Sequence, residues 1–118
     1  MVKTNGFSVK SHFEGKEPVV RQIYDALLKH SRRLGPVIEE PKKTSIHLVR
    51  KSAFAGVATR KRAIVLTLKS DQDLESERIH KSEQASARRF HHEVKLTSPA
   101  DVDAELVGWL KAGYAISG

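Results

Sequence analysis

Histidine and glutamate side chains occur in a pattern that could bind a metal ion. His91 and His92 are adjacent and Glu93 follows them, while His47 lies in an earlier segment that has strand character. Side chains alternate between the two faces of a strand, so His91 and Glu93 would share one face and His92 would lie on the other. With His47 from a neighbouring strand, they would form a His–His–carboxylate set of the kind that binds transition metals. The sequence leaves the register between His47 and His91 open, and we predict no metal ion and no cofactor.

Acid–base chemistry is the second possibility that these residue types raise. His80, Glu83 and His91 could transfer protons, because histidine titrates near neutral pH. No nucleophile motif, glycine-rich phosphate loop or pair of carboxylates accompanies them. The chain has no cysteine, which excludes a disulfide scaffold, a thiolate zinc site and a cysteine nucleophile. We therefore predict no catalytic residues and favour a function without catalysis.

Positive charge is concentrated in one segment of the chain. Residues 41–70 contain eight of the 21 Lys and Arg residues and none of the 14 Asp and Glu residues. The rest of the chain is therefore nearly neutral, with 13 basic and 14 acidic residues. The densest cluster is Arg60, Lys61 and Arg62. A positive patch on a sheet favours an anionic partner, and the alternative is an ordinary solvated face.

Two hypotheses follow from this charge distribution. The first is a non-enzymatic binding module for nucleic acid or another polyanion, in which cations at the hairpin ends contact the phosphates. The aromatic residues fall on helix or core positions, so they offer no platform for stacking bases. The alternative is a small-molecule-binding protein or enzyme, with a pocket for a carboxylate or phosphate lined by Lys43, His47, Arg89 and His91. The candidate anion- or ligand-binding residues are Lys42, Lys43, His47, Arg60, Lys61, Arg62, Lys69, Arg89 and His91.

Two helices and several strands must position these side chains. A first helix should run from Pro18 to the break at Gly35, and a second should begin near Pro99 with Ser98 as its N-cap. Strands are predicted at 44–50, 53–59, 63–69 and 90–97, with a short extended piece at 37–39. Short links indicate antiparallel neighbours. We predict a two-layer α+β fold, in which a mostly antiparallel sheet of four or five strands has both helices packed on one face.

Alternation within the strands separates a core face from an open face. The core side should receive Ile46, Leu48, Ile64, Leu66, Leu68, Phe90, Val94 and Leu96. The open side should receive Lys43, Ser45, His47, Val65, Thr67, Lys69, His91, Glu93 and Lys95. Gly56 in the middle of a strand suggests a bulge or a close approach by another backbone.

The segment 70–89 has no clear pattern. Its apolar residues make only a thin stripe, which leaves either a loop or a short helix around 82–89. We expect residues 71–89 to be the most mobile internal region. If this segment is a lid over the basic face, four carboxylates would occupy the cationic surface until an anionic ligand displaces them: Asp71, Asp73, Glu75 and Glu77.

The chain length suits one domain, which we place at 12–118 after a flexible N-terminus at 1–11. The N-terminus lacks an apolar signal region and no stretch reaches the length of a membrane span. We predict a cytoplasmic protein without a membrane span, and the oligomeric state stays open.

Several sequence blocks resemble a known bacterial family. They are HFEGK, VRQIYDALL, GPVIEEPKKTSIHLVRKSAFAGVATRKRAIVLTL, RIHKSEQASARRFHHEVKL and DVDAELVGWLKAGY, in that order from His12 to Tyr114. Together they resemble the family called domain of unknown function 5655, which implies no particular activity and no site residues. The order of elements is also similar to that of frataxin-like and of double-wing DNA-binding-like proteins. The likeness to frataxin-like proteins suggests a metal or small-molecule carrier, and the likeness to double-wing proteins suggests a nucleic-acid binder.

Overall fold

Six antiparallel strands and two α-helices make up the part of the chain that the computed structural model describes, residues 7–118. The strands are β1 (Ile38–Pro41), β2 (Ile46–Val49), β3 (Ala53–Thr59), β4 (Ile64–Ser70), β5 (Ile79–Ser86) and β6 (Arg89–Leu96). The helices are α1 (Pro18–Arg32) and α2 (Ala104–Ala115), and short 3-10 turns occupy Lys10–Phe13 and Pro99–Asp101. Residues 1–6 of the N-terminus predicted to be flexible lie outside the described range.

The strand order in the sheet is β1-β2-β3-β4-β6-β5. The α+β class and the antiparallel sheet are confirmed, but the prediction of four or five strands was too low. One addition is β1, which extends the short piece at 37–39. The other is β5, a strand within the segment for which we predicted a loop or a helix. Seven of the eight residues of β5 are exposed, so it carries no apolar alternation by which a strand could be recognised.

Helix α1 follows directly from its sequence. Pro18 occupies the first turn, where its missing N–H costs no hydrogen bond, and the last turn carries cations that interact favourably with the helix dipole. The buried face is formed by Val20, Ile23, Tyr24, Leu27 and Leu28. These residues recur at three- and four-residue spacing, as the prediction required.

The second helix begins later than the sequence suggested. Ser98 does act as an N-cap, but of the 3-10 turn, where its Oγ accepts a hydrogen bond from the Ala100 amide at 3.1 Å. Helix α2 starts at Ala104, and its N-cap is Asp103, whose Oδ1 accepts from the Leu106 amide at 3.0 Å. Each start therefore has its own capping side chain.

The core lies between the helices and one face of the sheet. The strand residues assigned to this side are at most 1% exposed, except Phe90, which is partly buried and stacks on the His92 ring. Helix α2 adds Leu106 and Leu110, both fully buried. Burial of this apolar surface drives the two layers together.

His92 fastens the segment 71–78 to the helix side of the sheet. The imidazole is fully buried, with Nδ1 2.8 Å from Ser82 Oγ and Nε2 3.2 Å from the Gln72 carbonyl oxygen. Further along, Arg78 donates to the Asp101 carbonyl at 2.7 Å and to Asp103 Oδ1 at 2.8 Å, which ties the segment to the start of α2. Gln72 and Arg78 therefore lie on the helix side of the sheet and not over its open face, while the expected mobility of the segment stays a prediction.

No helix within 7–118 is long and apolar enough to cross a membrane.

Candidate functional site

A cavity of about 280 Å³ lies on the open face of the sheet, the face opposite the two helices. Its floor is β3, represented by Ala53, Phe54, Ala55, Gly56 and Ala58. Its walls are side chains from the neighbouring strands and from β6: Ser45, His47, Thr67, Lys69 and His91. The side chains that could do chemistry thus surround an apolar floor.

The concavity arises because β3 presents almost no side chain to the open face. Gly56 has no Cβ, and a bulge lies next to it, since Leu48 pairs with Ala55 while Val49 pairs with Ala53. The bulge turns Phe54 towards the helices, where its ring packs against the Tyr114 ring at 5.2 Å in an edge-on contact. A trough therefore runs along β3 between the longer side chains of β2 and β4.

The strand register places the wall residues around this trough. His47 pairs with Gly56, and Gly56 pairs in turn with Thr67 on the next strand. A Cβ built on Gly56 would lie 3.9 Å from His47 Cδ2 and 3.8 Å from Thr67 Cβ. His91 lies directly across from Lys69. His47 and His91 therefore line the same cavity from opposite sides, with β3 and β4 between them.

Lys69 provides the cation of the cavity. Its Nζ donates a hydrogen bond to Ser52 Oγ at 3.0 Å, which holds the ammonium group towards the β2–β3 turn. Burial lowers the pKa of Lys69, and the positive charge of Arg89 lowers it further. In the part of the chain that the structure describes, this ammonium group has no carboxylate partner. Placed beside two imidazoles and a hydroxyl, it can donate hydrogen bonds to an anion.

A smaller cavity of about 90 Å³ adjoins the first and shares Thr67 and His91 with it. Its other lining residues are Lys81, Glu83 and Glu93. Glu93 Oε1 lies 3.2 Å from His80 Nε2, so this carboxylate already has a partner. The open face thus changes from positive beside Lys69 to mixed charge beside β5.

Most of the other predicted site residues lie at the far end of the sheet. Lys42 and Lys43 occupy the β1–β2 turn, and Arg60, Lys61 and Arg62 occupy the β3–β4 turn. We term this group the turn cluster; Ile64, where β4 begins beside it, is about 17 Å along the strand from Lys69 at about 3.3 Å per residue. Two of its members are paired, since Lys42 Nζ lies 2.8 Å from Glu40 and Arg62 Nε lies 2.7 Å from Glu17.

The basic segment of the sequence is consequently divided in the fold. The turn cluster lies at one end, and Lys69 lies towards the other. Arg50 is at that second end, where it stacks over the Tyr114 ring at 4.5 Å and donates to the Tyr114 carbonyl at 2.9 Å. Lys43 and Arg89, predicted as pocket residues, do not line the cavity, although Arg89 acts on Lys69 through its charge.

The histidines and carboxylates do not converge on a point where an ion could bind. Strands β3 and β4 separate His47 from His91, and Glu93 contacts His80. Within residues 7–118, no group of three or more His, Asp or Glu side chains is arranged to hold a metal ion.

Sequence reasoning missed the residues that shape the cavity. Ser45 and Thr67 were assigned to the open face but were not recognised as site residues. The signal that could have found the trough is the run AFAGVAT in β3, in which small residues alternate towards one face. Gly56 was noted for a bulge, and that bulge does lie beside it.

Comparison with known families gives one match that covers nearly the whole chain. A family described as Domain of unknown function (DUF5655) matches residues 9–117, which confirms the resemblance noted in the sequence. Neither a curated protein nor a solved structure matches the chain.

Proposed function

We propose that this chain, which belongs to the DUF5655 family, binds a small carboxylate or phosphate compound in the open-face cavity. Its own side chains support this proposal. The observation that carries the proposal is the position of Lys69, a cation with no carboxylate partner among residues 7–118, at the wall of an apolar cavity. Ligand sites are typically apolar hollows with a few placed polar groups, and this cavity has that composition. His47, Thr67 and His91 would fix the orientation of the ligand.

Nucleic acid, the first hypothesis from the sequence, becomes the second candidate. A duplex needs several cations on one surface to contact its phosphates. Here the cations divide between two ends of the sheet, and Lys42, Arg50 and Arg62 already have protein partners. Besides two imidazoles, the cavity lining has one aromatic ring, that of Phe54, which is buried and offers no platform for stacking bases.

Replacing Lys69 should distinguish ligand binding in the cavity from ligand binding elsewhere on the basic surface. Short carboxylates and phosphate esters would be titrated into the protein, and binding would be followed through the amide chemical shifts. We expect the amide signals of Gly56, Thr67 and His91 to move. Lys69→Met should weaken binding about tenfold or more, because a charged hydrogen bond contributes about 1.5–3 kcal/mol. The control is Lys95→Met, since Lys95 is exposed on the same face but outside the cavity lining. Equal losses in both variants would contradict a local site.

The nucleic-acid candidate rests on the turn cluster, which gathers five cations at one end of the sheet. Lys61→Glu should weaken binding to duplex DNA or RNA, and the dependence of affinity on salt should become shallower, because one fewer counterion is released. Lys61 is the cleanest position, since Arg62→Glu would also break the ion pair with Glu17. Lys111→Glu, on the exposed surface of α2, is the matched control of charge. Mobility shifts at several salt concentrations measure both, and no binding at low salt would remove this candidate.

A further inference from the structure

We infer that Lys69 is a nucleophile that forms an imine with a ligand carrying an aldehyde or ketone next to its anionic group, an inference that rests on the proposed binding function of the same cavity. The class of ligand that this chemistry fits is a short 2-oxo acid. The carbonyl carbon would meet the amine of Lys69, and the carboxylate would face the His47 and Thr67 walls.

The surroundings of Lys69 differ from those of a lysine that serves as a structural cation. Among residues 7–118, no carboxylate forms an ion pair with Lys69, whereas Lys42 is paired with Glu40 at 2.8 Å. A carboxylate partner would hold the amine in its protonated form. Here the partner of Nζ is a hydroxyl, that of Ser52, and both burial and the charge of Arg89 lower the pKa of the amine. Only the unprotonated amine can attack a carbonyl group, so the lowered pKa raises the fraction of Lys69 that can react, while the protonated fraction is the one that binds the anion.

A proton donor stands next to the amine. His91 is the cross-strand partner of Lys69 on the same face, and such pairs have Cβ atoms about 4.5–5.5 Å apart. His47 lines the opposite wall of the same cavity. Imidazole can give or take a proton near neutral pH, which imine formation requires twice.

The reaction balances without any further reagent. The amine nitrogen of Lys69 forms a bond to the carbonyl carbon, and the C=O electron pair moves to the oxygen, which takes up a proton from imidazolium. The nitrogen then loses a proton to imidazole. The hydroxyl of this carbinolamine takes a proton from imidazolium and leaves as water, while the nitrogen lone pair completes the C=N bond. One water molecule is released, and nothing is oxidised or reduced.

Reductive trapping tests the inference. The full chain is incubated with pyruvate and sodium borohydride, and the modified lysines are identified by peptide mass spectrometry. We expect Lys69 to be modified at least about tenfold faster than Lys95 or Lys111, because the cavity brings amine, carbonyl and acid together. Lys69→Arg keeps a positive charge and should remove the fast adduct. His91→Gln should slow trapping at Lys69 about tenfold or more through loss of the proton donor.

Lactate, which matches pyruvate in size and charge but lacks the ketone, distinguishes this inference from the binding proposal. If both acids shift the amide signals of the cavity and Lys69 gives no preferred adduct, the imine is excluded and anion binding stands. If the adducts are spread evenly over the exposed lysines, the imine is likewise excluded. If neither acid binds and no adduct forms, both proposals fail for 2-oxo acids. The wild-type peptide map decides between these results even if a variant does not fold, because the other lysines serve as internal controls.

Discussion

Gly56→Val is expected to weaken ligand binding in the open-face cavity while leaving the fold intact. A Cβ at this position would have only ordinary contacts, with His47 Cδ2 at 3.9 Å and Thr67 Cβ at 3.8 Å. The two methyl groups of valine would then occupy the space between these walls. We expect affinity for the anion to fall by about tenfold or more, since the ligand would lose its packing surface as well as its room.

Although Gly56→Val should lower ligand affinity, it should leave protein stability unchanged or raise it. Valine favours strands and glycine weakens them, so the free energy of unfolding should be unchanged or higher by up to about 1 kcal/mol. Gly56→Ala should give an intermediate affinity, because it fills only the floor of the trough. Calorimetric titration and urea unfolding of both variants measure the two quantities. Full binding by Gly56→Val would show that the ligand lies elsewhere.

Gly113→Ala is expected to lower the free energy of unfolding by about 1 kcal/mol. Gly113 lies where α2 crosses the sheet, and a Cβ there would be 2.8 Å from the Lys69 carbonyl oxygen and 3.3 Å from that of Phe54. Both neighbours are backbone atoms held in strands, so the helix must move away. The cost of such overpacking is about 1–3 kcal/mol, and the better helix propensity of alanine offsets up to about 1 kcal/mol of it.

Gly108→Ala is the matched control for this prediction. Gly108 lies in the same helix, and a Cβ there meets nothing within 4 Å. The control should therefore show only the gain in helix propensity, a rise of up to about 1 kcal/mol in the free energy of unfolding. Chemical denaturation measures both variants. If Gly113→Ala were stabilised as much as Gly108→Ala, the close approach of α2 to β3 and β4 would be wrong.

The elements that bury a regular apolar face could be predicted from the sequence. Helix α1 and the strands β2, β3, β4 and β6 follow from spacing, because each packs one face into the core and that requirement fixes the residue types. Strand β5 could not be predicted in this way, since an edge strand with no layer over it needs no apolar residues. Residues 71–78 were equally hard to place, because their positions depend on tertiary contacts. These are the contact of Gln72 with His92 and the hydrogen bond of Arg78 to the Asp101 carbonyl.

The candidate site was predicted in part for the same reason. Alternation assigned His47, Thr67, Lys69 and His91 to the open face, but the distances between them depend on the strand order. Because β6 pairs with β4, His91 reaches the wall beside Lys69. Because β3 is bulged and carries Gly56, the space between them is open. Neither the pairing of distant strands nor a bulge follows from the composition of the segments themselves.

Within residues 7–118, the two edge strands of the sheet, β1 and β5, have features that limit the addition of strands from other chains. A sheet that exposes a face and two edges invites other chains to add strands and grow into aggregates. Here β1 is only four residues long and ends in Pro41, which has no N–H to donate. At the other edge, the pairing of β5 with β6 shifts near both of its ends, and Lys81 and Glu83 lie between these shifts. Neither edge offers an incoming strand a long uninterrupted ladder, so the open face can remain accessible to a ligand without making the protein prone to fibre formation.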